Sequence, residues 1–72
     1  MSRETIYNFG YVLDLENDVV VLTTKEKMSV PDAMFLMLKH GAIDCRVYET
    51  NGSDCMEEWK LLTTYCGLMT SF

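Results

Sequence analysis

Three cysteines and one histidine, Cys45, Cys55, Cys66 and His40, are the side chains here able to ligate a metal or to pair as nucleophile and base. A structural zinc site needs four such groups within about 2.0–2.3 Å of one point. The apolar spacing around Cys55 and Cys66 predicts a single helix holding both. Eleven residues at about 1.5 Å rise set their Cα atoms about 16 Å apart, too far to share an ion. His40 and Cys45 supply only two ligands, so neither a metal nor another cofactor is expected.

Covalent catalysis fares no better. Cys45 falls on the apolar side of a predicted strand, where burial opposes the thiolate. Cys55 falls in the first turn of a predicted helix, where the dipole favours thiolate, but Asp54, Glu57 and Glu58 beside it oppose ionisation. His40 closes the first predicted helix, where a cation neutralises the dipole, and no carboxylate or hydroxyl is paired with it by spacing. Asp14, Glu16 and Asp18 open like a calcium loop. Val19 then stands where that loop needs glycine, and Lys25 where it needs a bidentate glutamate. The aromatic row Tyr7, Phe9, Tyr11 has the spacing of a base-stacking platform without the positive groove such platforms use. The four glycines are isolated, so no phosphate loop exists. The pattern is that of a protein without catalytic activity.

Composition narrows the classes further. The chain has 72 residues, enough for one domain spanning 1–72, and 49% of them are hydrophobic. Domains this small hold marginal cores and often need a disulfide, a metal or a partner copy. Three cysteines cannot pair fully within one chain, and the start Met-Ser-Arg-Glu-Thr-Ile lacks a signal-peptide pattern, so reduced thiols in the cytoplasm are expected. Six Lys and Arg stand against eleven Asp and Glu, a net charge of −5. Direct nucleic-acid binding and anionic membranes are disfavoured by that balance, and no apolar run reaches the roughly 18 residues a bilayer needs.

The elements that must position these residues come from periodicity. Thr5 to Leu15 alternates, with Tyr7, Phe9, Tyr11, Leu13 and Leu15 on one side and Ile6 and Val12 on the other. Gly10 within it reads as a bulge. Glu16-Asn17-Asp18 turns the chain into Val19–Thr24, giving a hairpin. Ser29 caps a helix with Pro31 in its first turn, and Gly41 stops it after His40. Val30, Ala33, Met34, Met37 and Leu38 form its predicted buried stripe, with Phe35 at the edge and Leu36 pointing away. A third strand covers Ile43–Thr50, and Asn51-Gly52 turns the chain. The capping box Asp54-x-x-Glu57 opens a second helix carrying Cys55, Trp59, Leu62, Cys66 and Met69 on one stripe.

The expected fold is α+β, a β-β-α-β-α two-layer sandwich with two helices on one face of a three-stranded sheet. Its second face would stay open. The expected function is a small acidic module that binds another protein, or itself as a homodimer, through Phe35, Leu36 and the open sheet face, which carries Tyr7, Phe9 and Tyr11 or Ile6 and Val12 according to the side the helices cover. An alternative is an acidic stoichiometric inhibitor of a nucleic-acid-binding enzyme, as small virus-encoded antagonists of host defence are. It would present Asp14, Glu16, Asp18, Glu57 and Glu58 on one surface.

Overall fold

The computed structural model describes residues 6–66. Strands β1 (Phe9–Asp14) and β2 (Val19–Thr24) form the hairpin, followed by helix α1 (Val30–His40) and strand β3 (Asp44–Glu49). A single 3-10 turn (Met56–Glu58) then leads into strand β4 (Lys60–Cys66). The sheet order is β2-β1-β3-β4, antiparallel throughout. The architecture is therefore one helix on a four-stranded antiparallel sheet, which overturns the expected three strands and two helices.

The missing second helix has a physical reason. Trp59–Cys66 satisfies a helical stripe only through Trp59, Leu62 and Cys66. The same stretch contains Thr63, Thr64 and Tyr65, which favour extended backbone. Strand β3 offers an unpaired edge, and β4 fills it from Lys60 opposite Glu49 to Cys66 opposite Asp44. Tertiary pairing decides between two patterns that the residues fit almost equally. The Asp54-x-x-Glu57 box likewise caps no helix. Instead Ser53 Oγ accepts from the Cys55 amide (3.1 Å) and donates to Glu58 Oε1 (2.8 Å).

α1 forms where expected. Ser29 Oγ accepts from the Asp32 amide (3.3 Å), Pro31 occupies the first turn, and Gly41 ends the helix in the left-handed conformation at φ 69°. Its rotation differs from the predicted stripe. Ala33 and Met37 are buried, and Met34 and Leu36 pack against the core, whereas Leu38 and Val30 face out. A helix apolar around its whole circumference leaves its own rotation open. Here the small Ala33, with no exposed surface, lies at the centre of the buried side.

The core lies between α1 and one side of the sheet. Tyr11, Leu13, Cys45 and Val47 from the two central strands pack with Met37, joined by Phe9, Val20, Leu22 and Tyr65. Burying each large apolar side chain of this kind contributes about 1.5–3 kcal/mol. Tyr11 keeps its hydroxyl satisfied by accepting from the Met28 amide (2.6 Å), which ties the entry of α1 to the central strand. The helix thus covers the side bearing Phe9 and Tyr11.

Candidate interaction surfaces

The outer side of α1 is apolar and bare. Phe35 is 68% exposed and Leu38 69%, one turn apart, and Pro31 precedes Phe35 by four residues on the same side. Phe35 and Leu38 thus leave two large apolar side chains uncovered on one side of the helix.

The opposite side of the sheet is covered in part, over Gly10, by a different device. From Thr50 to Trp59 the chain runs as a self-bonded loop. Asn51 and Gly52 both take positive φ (53° and 79°), so the expected turn stands. Buried Thr50 donates its amide to the Asn8 carbonyl (2.9 Å) and its hydroxyl to the Tyr7 carbonyl, and the Gly52 amide donates to that same carbonyl (3.1 Å). The loop ends by delivering Trp59, whose Nε1 donates to the Ser53 carbonyl (2.9 Å). Its six-membered ring lies over Gly10, where a Cβ would stand 2.8 Å from Cε3 and Cη2. Gly10 is therefore no bulge: it pairs in register with Thr23 and Tyr48, and its missing side chain makes room for the indole.

Tyr48 flanks that ring at 5.9 Å between centroids, tilted by 53°. Beyond it, Arg46 holds Asp14 with two hydrogen bonds (2.9 and 3.0 Å) and donates to the Tyr48 hydroxyl (3.2 Å). The Asp14 hydrogen bond raises the Arg46 pKa, with burial acting against it. Val12, opposite Val21 and Arg46, is only 1% exposed although α1 is on the other side.

The residues singled out in the sequence are placed as follows. Tyr11 is core, Phe9 and Leu36 are half-buried against it, and Tyr7 is half-buried with its carbonyl accepting from the Thr50 loop. Only Phe35 of that set is freely exposed. Of the acidic residues, Asp14 is engaged by Arg46, Glu16 and Asp18 lie exposed at the β1–β2 turn, and Glu57 and Glu58 lie exposed in the 3-10 turn. The two turns are at opposite ends of the sheet, separated by a six-residue strand or about 17 Å.

Cys45 is fully buried, and burial first, then the nearby Asp14 charge, pushes its thiol up from its ordinary value. Cys55 and Cys66 are exposed free thiols, the first before the 3-10 turn and the second at the end of β4. The helix-rise separation expected between them falls with the helix. Among the described residues, no three His, Cys, Asp or Glu side chains gather as metal ligands. The open depression between the β2–α1 connection and the first turn of α1 is lined by Thr24, Lys25, Glu26, Lys27, Ser29 and Asp32 among others. No described helix is long and apolar enough to cross a membrane.

No protein-family model, curated protein or solved structure matches the chain.

Sequence reasoning missed Leu38, because it was assigned to the buried stripe. It also missed the Gly10–Trp59 contact. A glycine in mid-strand and a lone tryptophan are the available signals, but nothing local pairs them across 49 positions.

Proposed function

We propose that this is a small cytoplasmic protein without catalytic activity that works by binding another protein through the outer side of α1. The observation that supports this is the paired exposure of Phe35 and Leu38 on a helix whose other side is fully used by the core. Aromatic and large aliphatic anchors of this kind carry most of the energy of an interface when a partner desolvates them. Free thiols at Cys45, Cys55 and Cys66 suit a reducing compartment. A groove-filling inhibitor needs its carboxylates side by side, and the division of Glu16 and Asp18 from Glu57 and Glu58 does not favour that second reading.

The test compares the wild-type chain with a Phe35→Asp/Leu38→Asp variant as bait in lysate of the native host. The expected result is a stoichiometric partner that survives high salt and is lost from the variant, while circular dichroism shows the variant folded. Capture indifferent to both substitutions overturns the reading.

A further inference from the structure

The sheet has two edges, and they are finished differently. β4 carries a register shift opposite Val47/Tyr48, with Leu62 as its extra residue, and it begins with Lys60. A bulge and a lysine are devices that blunt an edge against further pairing. β2 has neither. Its residues Val19-Val20-Val21-Leu22-Thr23-Thr24 pair with β1 without a shift and contain no charge, proline or glycine. Among the described residues, no strand pairs with its outer side.

We propose that the outer edge of β2 pairs antiparallel with the same edge of a second copy of this chain, across a two-fold axis at Val21, joining the two sheets into one. This names a partner for the interaction module above but uses a separate surface, so either reading can fail without the other.

Hydrogen-bond alternation sets the register. The Leu15 amide donates to the Asp18 carbonyl (2.9 Å) and closes the hairpin. Counting from that pair, the residues exchanging bonds across the hairpin are Leu13 with Val20, Tyr11 with Leu22 and Phe9 with Thr24. The peptide groups of Val19, Val21 and Thr23 then point away from β1. With the axis at Val21, each Val21 faces itself and each Val19 faces Thr23 of the second copy. Every outward group finds a partner, giving about six hydrogen bonds.

Charge fixes the direction. Glu16 and Asp18 precede β2, whereas Lys25 and Lys27 follow it around Glu26. An antiparallel pair brings the acidic end of one copy beside the basic end of the other, at both ends of the interface; a parallel pair would set like against like. Val19 and Val21, 49% and 42% exposed on the side away from α1, lose water in the same step. The Val19 amide is now held by Asp18 Oδ1 (2.7 Å). In the dimer that carboxylate turns to Lys25 of the second copy and the amide donates to its Thr23 carbonyl. The alternative of β2 on β4 of the next copy is head-to-tail and generates open filaments rather than a closed pair.

Sedimentation velocity of the full chain over a wide concentration range tests this. A species of twice 8.3 kDa is expected, reduced to monomer by Val21→Lys and retained in the β4 control Thr64→Lys. Asp18→Lys and Lys25→Asp should each raise the dimer dissociation constant by roughly tenfold or less, and the two together should restore it. That charge-reversal pair decides the matter if Val21→Lys fails to fold. A wild-type chain that stays monomeric, a dimer that persists in folded Val21→Lys, a dimer broken by Thr64→Lys, open-ended polymers, or a double reversal no tighter than the singles would each overturn the proposal.

Discussion

One side of the sheet is covered by an eleven-residue helix, and on the other a single indole ring covers Gly10. The helical side is built from many apolar contacts: Leu13, Tyr11, Cys45 and Val47 pack with Met37, Met34 and Leu36. The indole side is built from few, each specific. Gly10 must lack a side chain, Trp59 must be held by Ser53, and Arg46 must span Asp14 and Tyr48. Bulk burial gives stability that degrades gradually; a single ring on a single glycine gives a contact that is present or absent.

The sharpest way to break the contrast is on the helical side. Leu13→Ala removes a fully buried side chain from the central strand and should cost about 2–5 kcal/mol, read by urea denaturation. That is a large share of the stability expected of a small domain. Gly10→Ala comes next, at about 1–3 kcal/mol, because its methyl group meets the indole. It should also shift Trp59 fluorescence. In a Trp59→Leu background most of its cost should vanish, whereas the Leu13→Ala cost should stay; equal losses in both backgrounds would dissolve the distinction between the two sides.

The smallest effect is a pH dependence on the helical side. Burial raises the Cys45 pKa above its unfolded value, so the folded state holds the proton that the unfolded state releases. Stability from this source is complete below the unfolded pKa, near 9.0, and is lost as pH rises through the folded value. The slope cannot exceed about 1.4 kcal/mol per pH unit. The urea midpoint should fall further between pH 8 and pH 10 in wild type than in Cys45→Val. An equal fall in both would place the buried thiol outside the cause.

The sequence made the helical side legible and the indole side not. The hairpin, the Ser29 cap, the Gly41 stop, the third strand and the Asn51-Gly52 turn all follow from neighbours a few residues apart, where propensity and periodicity act. The rotation of α1 does not, because Val30, Leu36 and Leu38 are equally apolar and only the sheet beneath distinguishes them. β4 escaped because a helical stripe and a strand fit the same seven residues, and the deciding partner, β3, lies outside that segment. Phe35, expected at the edge of the stripe, is exposed; the exposure of Leu38 required the helix rotation first.

The sheet order has a consequence for how the molecule assembles. Each of β1–β2 and β3–β4 is a hairpin whose strands lie near one another in the chain, and only β1–β3 joins distant segments. Asp14 and Arg46, bonded across that seam, are 32 positions apart. Closing one long loop is the entropic hurdle that local pairing cannot lower. Crossing it brings Leu13 to Cys45 on one side and Asp14 to Arg46 on the other in the same event. Neither side can be finished before the seam zips, so the two dissimilar layers should form and melt together, as one all-or-none unit.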